Sequence, residues 1–167
     1  CLIWQDHQLY ALDLDDGNVR SILLEDNGEQ VMKVESNCRA FAVLTTKNLY
    51  FFSLGSKVLI RREPLACEVK YETQLTMDET CNVWLSENKI VQGYNYQAQK
   101  WMSSVAFPSH VSAIACGPGG KIWIGQENDG IYICDTDLQI RHHLEHMLGD
   151  ANSIRDNQIY MLQYEKT

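Results

Sequence analysis

The chain has 167 residues, 45% hydrophobic and 22% charged, which suits one domain with its own buried core and argues against a disordered tail. No apolar run approaches the roughly 18 residues a membrane helix needs, and Cys1 leads straight into Leu2-Ile3-Trp4, a strand-like start with no leader character. The net charge of −8 repels phosphate backbones, and Arg61-Arg62, the densest basic spot, is followed at once by Glu63. Nucleic acid and membrane surfaces are therefore not expected partners.

In chain order, four units repeat. Each joins an apolar strand, a turn and a second strand. The first is Leu2-Ile3-Trp4-Gln5, Asp6-His7-Gln8, then Leu9-Tyr10-Ala11-Leu12-Asp13. The second is Ala42-Val43-Leu44-Thr45, Thr46-Lys47-Asn48, then Leu49-Tyr50-Phe51-Phe52. The third is Asn82-Val83-Trp84-Leu85, a turn through Lys89, then Ile90-Val91-Gln92-Gly93. The fourth is Lys121-Ile122-Trp123-Ile124, a turn from Gly125 to Gly130, then Ile131-Tyr132-Ile133-Cys134-Asp135. Trp4, Leu44, Trp84 and Trp123 stand 40, 40 and 39 residues apart. Leu9, Leu49, Ile90 and Ile131 stand 40, 41 and 41 apart, so two ladders keep step.

A third strand is expected after each hairpin, over Val19 to Leu23, Val58 to Arg61, Lys100 to Met102 and Ile140 to Leu144. A preceding strand is clearest at Val111-Ser112-Ala113-Ile114-Ala115, with counterparts near Met32 and Glu72. Ile159-Tyr160-Met161-Leu162 reads as that strand in a further unit spanning 159–167. Turn residues such as Asp15-Asp16-Gly17-Asn18, Asn27-Gly28, Gly117-Pro118-Gly119-Gly120 and Asp129-Gly130 stand between strands. No helical periodicity appears. Four strands per unit of about 40 residues is the signature of a β-propeller blade.

The expected fold is therefore all-β: one propeller segment over residues 1–167, with about four blades of four antiparallel strands. It opens on the second strand of a blade and stops after the first strand of another. Either the last strand completes the first blade of a four-bladed ring, or the blades belong to a larger ring, such as a seven-bladed one. The usual range of roughly four to eight blades and the apolar faces an open arc would bare favour the larger ring.

Six cysteines, Cys1, Cys38, Cys67, Cys81, Cys116 and Cys134, contain no C-x-x-C pair, so zinc spacing is absent. Free, buried thiols are the expectation. His142-His143-Leu144-Glu145-His146 matches a zinc-protease pattern formally, but that pattern needs one helical face and this run is strand-like. Gly117-Pro118-Gly119-Gly120-Lys121 lacks the phosphate-loop spacing, and Asp13, Asp15 and Asp16 with Gly17 fail the calcium-loop positions at Asn18 and Leu24. No catalytic residue, metal ligand or cofactor is expected.

Trp4, Trp84 and Trp123 are expected between blades as core. Tyr94, Tyr96 and Trp101 lie off the anchor positions and are the candidate ligand platform, with His110, next to Ser109, on a connection at a blade rim.

The stretch Val111 to Tyr164 is the most marked. It runs Val-Ser-Ala-Ile-Ala, a Gly-rich turn, Lys121-Ile122-Trp123-Ile124-Gly125, Asp129-Gly130-Ile131-Tyr132-Ile133-Cys134-Asp135, then Asp150-Ala151-Asn152-Ser153-Ile154-Arg155-Asp156-Asn157-Gln158-Ile159-Tyr160. This resembles the two-component regulator propeller repeat, with its V-x-x-I, G-x-I-W-I-G-T and G-L-x-x-Y-D strands and its N-S-L-x-x-N-x-I linker. Leu44 in place of Trp and Gln126 in place of Thr depart from it. The resemblance covers about a third of the chain, and its marked positions are structural. It implies the periplasmic sensor of a hybrid two-component histidine kinase of Bacteroides-like bacteria. There, propellers precede a β-domain, a membrane span, a kinase, a receiver and a DNA-binding domain, and the ligand is an oligosaccharide from polysaccharide breakdown. It also implies contacts with neighbouring blades or domains of the same polypeptide and a homodimer of the parent. The alternatives are a protein-interaction scaffold and a polysaccharide-active propeller enzyme, the latter needing paired carboxylates roughly 5–10 Å apart.

Overall fold

The computed structural model describes residues 2–5, 8–12, 16–22, 28–66 and 69–164. Cys1, the Asp6-His7 turn, Asp13, Asp15, Leu23, Asn27, Cys67, the side chain of Trp4 and residues 165–167 lie outside the described set. Two compact units, Cys1–Tyr71 and Glu72–Thr167, are described in turn.

The first unit holds two antiparallel sheets. One is β1 (Leu2–Gln5), β2 (Gln8–Leu12) and β3 (Val19–Ile22), in that order. The other is β4 (Val31–Ser36), β5 (Ala40–Thr45), β6 (Asn48–Ser53) and β7 (Leu59–Pro64), also in order. The apolar runs of β5 and β6 are buried on both faces, which is why they do not alternate. Phe41, Val43, Tyr50 and Phe52 point to one side and pack with Leu9, Ala11 and Ile22 of the first sheet. Phe41 and Phe52 are direct ladder partners, and their rings stack at 5.0 Å. Each such side chain contributes about 1.5–3 kcal/mol through burial. The outer strand β7 alternates half-buried and exposed, as a strand with one wet face should.

The second unit also holds two sheets. β8 (Gln74–Met77), β9 (Val83–Glu87) and β10 (Ile90–Asn95) carry two short outer strands, β11 (Lys100–Trp101) and β12 (Val105–Ala106), both paired to β10. β13 (Val111–Cys116), β14 (Ile122–Gln126), β15 (Ile131–Cys134) and β16 (Ile140–Leu144) follow in simple order. One core joins the two sheets, with Trp84 and Val91 on one side and Val111, Ile114, Ile122, Ile124 and Tyr132 on the other. The innermost strands also meet directly, since the Cys116 amide donates to the Thr76 hydroxyl at 3.2 Å. Among the described residues the only helical element is a 3-10 turn at Pro118–Gly120, where Gly119 and Gly120 take positive φ between β13 and β14. That is the hairpin turn expected of this Gly-rich run.

The antiparallel meanders at the repeat spacing, of three to five described strands each, are the propeller-blade architecture. The innermost strands fall at Val31–Ser36 and Gln74–Met77, close to the counted positions. One expectation is corrected: the outer strand of the third blade is broken after Trp101, because Met102 folds in over Gly93 and keeps its own amide on the Gly93 carbonyl at 2.8 Å. Ile159–Leu162, read as the start of a further unit, has no ladder partner among the described residues and is docked by single contacts to the turn and inner strand of the fourth sheet. Trp123 is half-buried and turned to the side of β14 opposite Ile122 and Ile124, lying on Gly117, whereas Trp84 is fully in the core.

The connections between blades share one device. The Val69 amide donates to the Thr46 carbonyl, Val111 to Asn88, and Ile159 to Gln126, at 3.4, 2.8 and 2.9 Å. Each incoming segment is thus pinned to the central hairpin turn of the blade it leaves. The turn ends carry buried polar side chains that tighten this. Gln126, with no exposed surface, brackets Ser109 by accepting from its amide at 3.0 Å and donating to its carbonyl at 3.1 Å. The buried Glu29 carboxylate accepts from Thr45, Asn48 and Tyr50.

The motif-bearing linker after β16 works the same way. The Ser153 hydroxyl accepts from the Met147 amide at 3.0 Å, and Asn157 Oδ1 accepts from the His146 amide at 2.6 Å. The Asn157 carbonyl takes the Gly130 amide at 2.9 Å. Ile159 then lies over Gly125, where any Cβ would collide with it. The marked residues of the linker are therefore fasteners.

Candidate functional site

Of the four candidate residues, the structure brings two together. Tyr94 on β10 stands directly opposite Trp101 on β11, and their rings meet edge to face at 5.2 Å and 69°. Tyr94 is fully buried, which corrects its place in a surface platform: it is the backing on which the half-buried Trp101 rests. Tyr96, half-buried, begins the turn between the two strands, and its amide donates to Asn82 Oδ1 at 3.0 Å.

Asn82 is itself fixed. Its Nδ2 reaches Asp78 at 3.0 Å and the Thr80 hydroxyl at 2.9 Å, while Asp78 Oδ1 accepts the amides of Thr80 and Asn82. Local Asx geometry of this kind rigidifies a turn without secondary structure. The second turn is closed by Asn95 Oδ1, which accepts the Ala98 amide at 2.8 Å. The result is one end of the third sheet where a partly open indole sits beside two stitched turns rich in amides and hydroxyls. Aromatic faces with hydrogen-bonding rims suit a neutral, polar ligand.

His110 is elsewhere. It lies at the opposite end of β10, within 3.4 Å of Asn88 through Nδ1, and its carbonyl accepts the Glu127 amide at 3.0 Å. The run of β10 between the two ends spans roughly 16 Å. His110 and Trp101 therefore do not form one site.

A cluster that the sequence reading passed over sits on the fourth sheet. His143 stacks flat on Tyr132, its ladder partner, at 3.9 Å and 10°. Its Nε2–H donates to the Asp129 carbonyl at 2.6 Å, and its Nδ1 is 3.5 Å from Glu145. The Tyr132 hydroxyl donates to Asp129 Oδ2 at 2.6 Å, and burial, reinforced by that carboxylate, pushes the phenol well above its ordinary range. The ligand atoms of Asp129, His143 and Glu145 lie within 4.8 Å of one another. His142, its sequence neighbour, is exposed, and His146 Nδ1–H is spent on the Ile154 carbonyl at 2.9 Å, so the H-x-x-E-H spacing converges on nothing. The signal in sequence was the strand register, which pairs Tyr132 with His143 and was not drawn from the spacing alone.

The described cysteines carry thiols and form no disulfide: Cys81 and Cys134 are buried, Cys116 half-buried and Cys38 exposed. Cys38 departs from the expected burial because it lies in the turn between β4 and β5, where Asn37 Oδ1 accepts the amides of Arg39 and Ala40. Burial, with Asp135 adding to it, pushes the Cys134 thiol up to about 11, which leaves it protonated and unreactive near neutrality.

Repeating meanders of this kind define a β-propeller, and comparisons with solved structures agree. The chain is similar to the extracellular domain of a candidate one-component system from B. thetaiotaomicron, with TM-score 0.64 and 18% identity over 96% of this chain and 23% of that one. It is similar to a chain of the mitotic checkpoint complex at TM-score 0.63 and 14% identity, over 84% of this chain and 46% of that one. A computationally designed protein matches at TM-score 0.60 and 13% identity, over 86% of this chain and 85% of its own. The chain thus spans less than half of each of the two natural chains. No family model and no curated protein matches the sequence. At these identities the likeness is one of fold. Among the described residues no helix is long and apolar enough to cross a membrane.

Proposed function

We propose that this chain is a ligand-sensing propeller segment on the periplasmic side of a hybrid two-component sensor, and that its ligand is an oligosaccharide. The observation that carries the reading is the stretch from Val111 to Ile159. Its marked residues, Gly125, Gly130, Ser153, Asn157 and Ile159, each have a job in docking the next segment onto the fourth blade. These are positions at which the chain resembles the sensor repeat. The likeness in fold of 96% of the chain to part of the extracellular domain of a one-component system supports the same reading.

Ile159 enters as Val111 does, amide first onto a hairpin-turn carbonyl. We take the segment it opens as the innermost strand of a further blade in a larger ring. A sensor of this kind works by binding: ligand favours one arrangement of propeller and membrane-proximal domain and so shifts kinase output. No residue of the segment needs catalytic chemistry for that.

Trp101 and Tyr96 are the proposed contacts, with the sugar's apolar face on the indole. Titration of neutral oligosaccharides by calorimetry, using the variants Trp101→Ala, Tyr94→Ala and His110→Ala, tests this. Trp101→Ala is expected to weaken binding at least about tenfold, the ~1.4 kcal/mol scale of one good aromatic contact. His110→Ala should leave affinity unchanged, and Tyr94→Ala should lower stability by about 3 kcal/mol, as a large buried side chain does. Unchanged affinity in Trp101→Ala would remove the site.

A further inference from the structure

Gly93 stands opposite Trp84 in the β9–β10 ladder. A Cβ there would collide with the methyl of Met102 and come within 3.0 Å of Trp84 Nε1. The missing side chain opens a slot, and the Met102 thioether arm fills it, against the edge of the indole. Trp84 has no exposed surface, and its Nε1–H has no hydrogen-bond partner. A buried donor left without an acceptor is a rare and costly feature. On the other side, Met102 is half-buried and is followed by the exposed Ser103 and Ser104, which join β11 to β12 outside any ladder. Met102 thus keeps part of its surface in solvent while its methyl fills the space beside the orphaned donor.

We propose that Met102 is a reversible oxidation site whose sulfoxide oxygen is received by the Trp84 indole N–H. The oxidant is a hydroperoxide. A lone pair on the Met102 sulfur attacks one peroxide oxygen, the S–O bond forms as the O–O bond breaks, and the proton passes to the departing oxygen, which leaves as water or alcohol. Sulfur loses two electrons and the peroxide gains them. A sulfoxide is polar and would normally disrupt a core; here it meets a donor that lacks an acceptor. A thiol-dependent sulfoxide reductase reverses the step. The outer strand of the third blade, broken at this residue, is the element that registers the change.

Hydrogen peroxide treatment of the folded protein, followed by peptide mass mapping and by the indole N–H resonances in a nitrogen–proton correlation spectrum, tests the proposal. Met161, 75% exposed, and Met77, 7% exposed, are the internal standards. Met102 is expected to oxidise in the folded state faster than Met77. In step with it, one indole resonance should move downfield, returning after reductase treatment. In Met102→Leu, a volume-conserving exchange that keeps the packing, no indole resonance should move. Met102 remaining reduced while Met161 is fully oxidised would overturn the proposal. So would oxidation of Met102 that leaves every indole resonance in place.

Discussion

On β4 the half-buried Glu35 carboxyl is pushed up to about 7 by burial, against the pull of Lys33 toward the ionised form. Its ordinary value is 4.5, so the folded protein holds this proton more tightly than the unfolded chain does. The stability it contributes is complete below pH 4.5 and is lost as pH rises through about 7. Asp16 and Asp135 shift the other way, chiefly because backbone amides donate to their carboxylates, from Asn18 and Gln139 respectively. What they contribute is present above the ordinary Asp value and fades only in acid, outside the Glu35 window. Thermal midpoints at pH 5 and pH 8 should therefore fall more steeply for the natural protein than for Glu35→Gln. Equal slopes for the two proteins would show that Glu35 is solvated in the folded state.

Among the elements, the connections decide how firmly the blades hold. Glu29 ties the segment entering β4 to the β5–β6 turn through three side-chain donors. Glu29→Ala strands those donors in a buried place, and an unsatisfied buried polar group costs about 1–3 kcal/mol. Urea denaturation should show that loss for Glu29→Ala and a smaller one for Glu29→Gln, which keeps an acceptor oxygen; a neutral Glu29→Ala would mean the turn holds without it. The strands themselves were legible because runs such as Leu49-Tyr50-Phe51-Phe52 and Ile131-Tyr132-Ile133-Cys134 must be buried on both faces, and their period fixed the units. The broken outer strand was not legible, since it depends on Met102 finding the space above Gly93, a pairing set by register across two strands. The burial of Tyr94 was hidden for a related reason. An aromatic near a strand end looks the same in sequence whether its parity points it inward or outward. Likewise, His110 and Trp101 sit in neighbouring stretches of sequence, yet the length of β10 puts them at opposite ends of a sheet.

For the whole molecule, the proposed work is binding, and the surface proposed for it is the Asx-stitched end of the third blade, with Trp101 over Tyr94. Linkage makes the claim measurable, because a ligand that binds only the folded state raises its stability by about 2.7 kcal/mol at one hundred times its dissociation constant. The most direct measurement is a thermal-shift screen of the purified protein against neutral and acidic oligosaccharide fragments. The account predicts that at least one neutral fragment raises the midpoint by roughly 5–10 °C at saturating concentration. A flat response across the whole panel would contradict it and would point instead to a scaffold that binds protein.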